Sequence, residues 1–451
     1  MSDLLLSTEQ GSGLKALRAA ALSFAGDPFV LPADETLHYE SDALVVTRDG
    51  RITAFGAAST LLPTLPAGTE IVRYDDALIV PGFIDAHVHY AQLPIIGAFG
   101  RTLFEWLTQH AYRIEQRFFD PVVARSTANE FLDECLRQGI TTAMVYGTVH
   151  ATSVDAFFAA AEQRAMRMIA GKVLMDRHAP PALLDTAQSG YDQSKALIAR
   201  WNGRGRLAYA VTPRFAPTST PEQLASAGAL LQEHDGLYLQ THLGETTDES
   251  TWVRTLFPDA RDYLDVYERH GLVGRRSVLG HGIHLEEGAW QRLFDAGAAV
   301  AHCPTSNNFL GSGHFRMAAA KRAPRPVRVA LGTDVGGGTT LSMLGTMNEA
   351  YKVARHTGFA VTAAQALWLV TGGAAAALDL TGTVGGLEAG HDADLVVLDL
   401  AATPLIRYRM AFCADVEEAL AVLMMLGDDR AVRATYVAGR LAHRRDPGML
   451  P

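Results

Sequence analysis

The chain has little sulfur, little clustered positive charge and no long apolar run, and each shortage closes off a class of explanation. Among its 451 residues are only three cysteines, Cys135, Cys303 and Cys413, too few and too scattered for a disulfide framework or a C-x-x-C metal knuckle. A reducing cytoplasm is the expected home. Asp and Glu outnumber Lys and Arg by 49 to 39, for a formal net charge of −10. Nucleic acid and anionic membrane both favour clustered Lys and Arg, so neither is expected as a partner. No apolar stretch approaches the length of a membrane span, and Met1-Ser2-Asp3-Leu4 lacks the basic region and apolar core of a secretory signal. There is no low-complexity segment and no short repeat. What is left, 48% hydrophobic and 20% charged, is the balance of a globular protein able to bury a large core.

The most informative residues lie at the end of one apolar run, Pro81-Gly82-Phe83-Ile84-Asp85-Ala86-His87-Val88-His89. Side chains alternate along a strand, so His87 and His89 share a face while Val88 points to the opposite layer. Alone, such a pair is more often a hydrogen-bonded core or surface pair than a metal site. Three later segments change its weight: Thr241-His242-Leu243-Gly244-Glu245, Gly280-His281-Gly282-Ile283-His284 and Gly332-Thr333-Asp334 each follow a strand-like run.

The first 75 residues read as short strands and turns, with Arg48-Asp49-Gly50 between apolar runs as a hairpin signal. The end of the chain reads alike, with strands near Ala393–Leu398 and a strand pair within Ala431–Arg440. Between them, strand-like runs such as Thr141–Tyr146, Met168–Leu174, Arg206–Val211, Tyr238–Thr241, Ser277–Gly280 and Val327–Leu331 alternate with helical text such as Pro221–Glu233 and Thr362–Val370. Repeated β/α alternation implies a parallel sheet. An open doubly wound sheet is one form of it; side chains gathered from first, middle and last strands favour a closed (β/α)8 barrel, where every strand ends on one face. The expected organisation is a small β-sandwich domain built from both chain ends, residues 1–75 and 386–451, flanking a TIM-like barrel over 76–385.

From about Asp75 to Arg444 the sequence resembles the amidohydrolase superfamily and, within it, the guanine deaminases. The segments that carry the resemblance include Pro81–Gln92, Gly97–Leu107, Tyr146-Gly147-Thr148-Val149-His150, Gly171–Arg177, Thr212-Pro213-Arg214-Phe215-Ala216-Pro217, His302–Asn307 and Met424–Arg430. H-x-H with a late Asp marks only the superfamily; the Thr-Pro-Arg-Phe-Ala-Pro and Tyr-Gly-Thr-Val-His runs are narrower. The resemblance implies one Zn²⁺ per subunit, with iron as the alternative, held by His87, His89, His242 and Asp334. Three nitrogens and one carboxylate suit zinc and leave room for an activated water.

It also implies that Glu245, in the H-x-x-E pattern, shuttles a proton from that water to a ring nitrogen, that His281 holds and polarises the resulting hydroxide, and that Asp334 passes a proton to departing ammonia. The plainer readings are a solvated loop carboxylate for Glu245 and a core histidine for His281, with His284 the blander neighbour. Arg214, with Phe215 beside it, would donate to the carbonyl and imidazole edge of guanine, and Gln92 would read the amide side; His89, His242, Glu245 and Asp334 complete the substrate contacts. Without its flanking residues Arg214 would read equally well as an ion-pairing residue. Lys172 reads as structural rather than as the carboxylated bridge of two-metal relatives. Cys303 and His302 read as packing or loop-positioning residues, and Asp85 as a supporting rather than catalytic one.

Three positions depart from the family pattern: Gly244 and Gly282, where cysteine is common, and Asn308, where leucine is usual. The expected activity is hydrolytic conversion of guanine to xanthine and ammonia by a cytoplasmic homodimer. The alternatives are a related aminohydrolase for another aminopurine, a pterin or a triazine, and a catalytically silent amidohydrolase homologue.

Overall fold

The computed structural model describes residues 13–100 and 102–445. The Met1–Leu4 reading and the outermost residues of the two expected end segments lie outside them. Four strands open the described chain: β1 Lys15–Phe24, β2 Leu37–Arg48, β3 Arg51–Ala57 and β4 Glu70–Pro81. Nine follow: β5 Phe83–His89, β6 Ile140–Tyr146, β7 Arg167–Gly171, the two-residue β8 Val173–Leu174, β9 Ala208–Pro213, β10 Tyr238–Leu243, β11 Ser277–His281, β12 Ala299–His302 and β13 Arg328–Leu331. The last three are β14 Leu395–Asp399, β15 Val432–Val437 and β16 Arg440–Arg444.

The end segments combine in one mixed seven-stranded sheet of order β16-β15-β14-β4-β1-β2-β3. Its β2–β3 hairpin turns at Asp49 and Gly50, both with positive φ (51° and 80°), the twist that a two-residue hairpin loop needs. The second set forms the (β/α)8-type barrel. β5, β6, β7, β9, β10, β11, β12 and β13 pair in sequence, all parallel, with β8 set against β9. The ring nearly closes between β13 and β5, where the Asp334 backbone N–H donates to the His87 carbonyl at 2.8 Å. Both faces of these strands are covered, which is why β5 and β6 are buried throughout and read as near-continuous apolar runs. β12, an Ala-Val-Ala-His segment, is the barrel strand that sequence patterning does not single out.

Alternation along β5 is interrupted. Its register against β6 slips by one residue between Asp85 (opposite Ala143) and Val88 (opposite Val145). Ile84 and Ala86 pack in the barrel interior, whereas Phe83 and Val88 pack in the outer layer among Phe131 and Phe157. With Val88 outside, His87 and His89 point inward. A bulge of this kind re-aims side chains beside a functional site.

Candidate active site

At the C-terminal end of the barrel, His87 and His89 from β5, His242 from β10 and Asp334 after β13 place one ligand atom each within 4.8 Å of one another. His87 Nε2 lies 3.4 Å and His89 Nε2 3.5 Å from Asp334 Oδ1. His242 Nδ1 donates to the Arg214 carbonyl at 2.7 Å, so its Nε2 keeps its lone pair and faces His89 Nε2 at 3.2 Å. Tyr146 stacks on His89 (ring centroids 4.4 Å apart) and lies against His87 and His242 at 4.8 and 4.9 Å. The Tyr-Gly-Thr-Val-His run thus has a physical role, since its tyrosine backs three imidazoles at once.

Burial holds all three imidazoles below their ordinary pKa, His89 and His242 far below, so they are neutral. Burial alone would raise the Asp334 carboxyl, but His87 as a hydrogen-bonding neighbour and the positive character of His281 hold it well below the usual carboxylate range. Three neutral nitrogens and one carboxylate form a donor set that suits a divalent cation. The His87 Nε2 atom is buried without a hydrogen-bond partner among the described residues, a cost that a metal would remove.

Glu245 stands beside this cluster, 3% exposed. Thr246 and Glu249 form a capping box at the start of helix Thr247–Leu256, and the Glu249 carboxylate also accepts from the Glu245 backbone N–H at 2.9 Å. Ser312 Oγ donates to Glu245 Oε1 at 3.0 Å, and Glu245 Oε2 lies 3.5 Å from His281 Nε2. Burial, with Glu249 and Asp334 adding to it, pushes the Glu245 carboxyl up to about 7 against the pull of His281. A carboxyl poised there exchanges a proton readily near neutrality.

His281 Nδ1 lies 2.8 Å from Asn307 Oδ1, an acceptor, so that nitrogen carries the proton. Burial opposes charge on His281, yet Glu245 and Asp334 outweigh it and its pKa is raised. His281 and Asp334 both adopt left-handed backbone, φ 69° and 49°, a strained conformation for such residues that concentrates at functional sites. His284 turns away and meets the Ser312 carbonyl at 2.8 Å.

Next to the cluster opens a small, partly open cavity. It is lined by His89, His242, Glu245 and Asp334 together with Gln92, Arg214 and Phe215, and Leu103, Trp106 and Leu107 supply apolar wall. An apolar slot with a few fixed polar groups is the usual form of a small-molecule site. Arg214 Nη1 and Gln92 Nε2 each donate at 2.7 Å to Glu115, a buried carboxylate in the short helix Tyr112–Glu115. Glu115, Asn307 and Ser312 are contacts that sequence reading does not identify. Glu115 lies 23 residues from Gln92 and 99 from Arg214, with no motif to join them.

Lys172 lies outside the cluster, fully buried and paired with Asp185. Asp85 accepts from the backbone N–H groups of Thr333 (3.0 Å) and His87 (3.2 Å) and from the Thr333 hydroxyl (2.5 Å), tying β5 to the segment after β13. Cys303 could join His87, His281 and Asp334 in a second grouping, but burial pushes its thiol well above the ordinary range and it donates to the Ala301 carbonyl. His302 stacks on Phe315. Gly244 and Gly282 sit at φ 57° and 59°, where glycine is unstrained and cysteine is not. Asn308 reaches outward to Glu349 at 2.8 Å.

The family model described as "Amidohydrolase family" matches residues 78–442. Over 410 residues the chain is 47% identical to the guanine deaminase of Escherichia coli K12, covering 91% of this chain and 93% of that protein. It is 38% identical over 439 residues to a probable guanine deaminase of Deinococcus radiodurans, covering 96% and 99%. The solved structure of the Escherichia coli guanine deaminase superposes with a TM-score of 0.93 at 45% identity, over 96% of this chain and all of that one.

Proposed function

Since the chain belongs to the amidohydrolase family, we propose that it deaminates guanine hydrolytically to xanthine and ammonia. The observation that carries this reading is one cavity shared by two sets of groups: His89, His242 and Asp334 of the His87, His89, His242 and Asp334 cluster, and Gln92 with Arg214. Its similarity to guanine deaminases along nearly the whole chain supports the same substrate.

His87, His89, His242 and Asp334 would hold one divalent cation, zinc before iron, since both suit this ligand set. Such a cation lowers the pKa of a water towards neutrality and so supplies the nucleophile. Arg214 donates to the oxo and imidazole edge of the base, Gln92 meets its amide side, and Phe215 and Trp106 keep bulk water out. Glu245, poised near 7, takes the proton of the attacking water and delivers it to the ring nitrogen beside the carbon that bears the amine. His281 steadies the oxygen during the attack, with Asn307 keeping its ring oriented. Asp334 relays a proton to the departing ammonia as the tetrahedral carbon collapses.

The barrel over residues 76–385 carries this chemistry, and of the flanking segments 1–75 and 386–451 the described residues, 13–75 and 386–445, supply the small β-domain. Cytoplasmic residence and a homodimer complete the reading; the three cysteines, none disulfide-bonded, suit a reducing compartment. The test is ammonia release, with the matching ultraviolet change, from guanine, adenine, cytosine, isoguanine, 8-oxoguanine and ammeline, using zinc-loaded protein and a Glu245→Gln control. Guanine consumed fastest, and spared by the control, is expected. Another ring preferred would move the pocket assignment to a sister aminohydrolase.

A further inference from the structure

Glu115 is 1% exposed and spends both carboxylate oxygens on two residues that line the substrate cavity. Oε1 accepts from Gln92 Nε2 and Oε2 from Arg214 Nη1, each at 2.7 Å. Arg214 is itself buried, with its guanidinium carbon 5.4 Å from the centre of the Tyr112 ring. Burial opposes its charge, but Glu115 more than compensates and Arg214 titrates above its ordinary value.

An ionised carboxylate only accepts hydrogen bonds, so the Gln92 carboxamide must turn its NH₂ towards Glu115. The orientation of that amide then follows from chemistry. Its other atom, Oε1, is buried and has no hydrogen-bond partner among the described residues. The backbone is kept bare where this oxygen rests: Gly336 has φ 109°, and a Cβ there would lie 2.1 Å from Gln92 Oε1.

We infer that Glu115 is a positioning residue that sets the hydrogen-bond code of the pocket, fixing Arg214 as donor and Gln92 Oε1 as acceptor for the C=O/N–H edge of a 6-oxopurine. The inference rests on the guanine reading above. Guanine offers an N1–H donor beside its O6 acceptor, which matches the pair. A purine with a bare N1 lone pair would set lone pair against lone pair. A glutamine free to flip would relieve that clash by presenting NH₂ instead. Here the flip would turn Gln92 Oε1 onto the Glu115 carboxylate, so the escape is closed. Glu115 also neutralises Arg214, and the pocket is thereby set for an uncharged base.

The experiment compares inhibition of guanine turnover by hypoxanthine, which has N1–H and O6, with inhibition by unsubstituted purine, which has neither. Wild-type protein should bind hypoxanthine at least roughly thirtyfold more tightly, the worth of one to two matched hydrogen bonds in a dry site. Glu115→Gln keeps the shape but frees the Gln92 amide. The hypoxanthine-to-purine ratio should then fall roughly tenfold and the guanine KM rise roughly tenfold, with a smaller change in kcat and unchanged metal content. Should the unpaired Arg214 keep that variant from folding, Glu115→Asp, which retains the charge but is too short to serve both partners, reads the same ratio.

An unchanged ratio in either folded variant overturns the inference, as does a wild type that does not discriminate the two ligands. A wild type that discriminates them by direct binding yet leaves guanine intact would overturn the deaminase reading and uphold this one.

Discussion

Asp85 should behave as a clasp between His87 and the Asp334 segment, two of the proposed metal ligands, and the cost of opening it can be worked out from its contacts. Its carboxylate caps the backbone N–H groups of His87 and Thr333 and accepts from the Thr333 hydroxyl, while the Asp334 N–H reaches back to the His87 carbonyl. Asp85→Ala leaves two buried N–H groups without acceptors, at about 1–3 kcal/mol each. The hydroxyl can rotate to another acceptor, so a loss of roughly 2–6 kcal/mol is expected. At about 2.1 cal/mol/K per residue over 451 residues, 1 kcal/mol corresponds to roughly 1 °C in Tm. The metal-free alanine variant should therefore melt roughly 2–6 °C lower. Asp85→Asn keeps an acceptor for both N–H groups and can donate its NH₂ to the Thr333 oxygen, so its Tm should shift by about 1 °C or less. Because the clasp sets the spacing of His87 and Asp334, alanine should also weaken metal binding about 10–100-fold, as loss of groups supporting metal ligands usually does. Calorimetry of metal-free protein and chelator competition measure the two effects. Asparagine as damaging as alanine would show that charge, rather than hydrogen bonding, is what matters here, and unchanged metal affinity in the alanine variant would refute the clasp.

Gly280→Ala should cost at least tenfold in metal affinity, because its Cβ would lie 2.6 Å from His87 Cε1 and the ring must move; a chelator titration that matches wild type would contradict this. Lys172→Met should destabilise by about 3–5 kcal/mol, since Asp185 is left buried and unpaired, while Lys172→Met combined with Asp185→Leu should recover most of the loss. One metal per chain should remain in both variants, and a drop in metal content of the double variant would defeat the structural reading of Lys172. His302 predicts an acid-sensitive stability: burial, with His281 adding to it, pushes its pKa from 6.5 down to about 3. The unfolded chain therefore takes up the proton first, so the contribution is whole above pH 6.5 and is lost as pH falls towards 3. At about 1.4 kcal/mol per unit its ceiling is roughly 5 kcal/mol. In melts of chelator-treated protein between pH 7.5 and 4.5, His302→Asn should lose less stability than wild type; parallel curves would count against the assignment.

Much of the architecture was legible because β/α alternation and strand-end polar residues are local signals. The barrel, the joining of both chain ends in one β-domain and the Asp49-Gly50 hairpin follow from them, whereas the single mixed seven-stranded sheet in place of the expected sandwich depends on long-range strand pairing. β12 escaped because an Ala-Val-Ala-His segment is short and carries little β-branched text. Strict alternation along β5 explains less than it promised: it would put Phe83 on the same face as His87, whereas the register slip after Asp85 separates them. Position at successive strand ends marked out a wider set that included His281 and His284, and the family resemblance singled out His87, His89, His242 and Asp334 within it. Glu115, Asn307 and Ser312 could not, because each reaches its partner through a loop or short helix whose path depends on tertiary packing.

Arg214 shows how the two halves of the site are both joined and separable. Its side chain lines the cavity and is held by Glu115, while its backbone carbonyl accepts from His242 Nδ1 and so fixes the nitrogen that faces the His87, His89 and Asp334 cluster. The carbonyl belongs to the backbone and survives any side-chain replacement, whereas the guanidinium does not. A change of Arg214 with a compensating change of Glu115 could therefore alter which ring is read while leaving His242 oriented as before. The same division holds around the cluster: Asn307 serves His281, Glu249 and Ser312 serve Glu245, and Asp85 serves His87 and the Thr333 segment. None of these partners is shared with Gln92 and Arg214. A barrel wired in this way can alter the Gln92 and Arg214 end of its cavity without rebuilding the cluster of His87, His89, His242 and Asp334, because function resides in a site grafted onto the fold rather than in the fold itself.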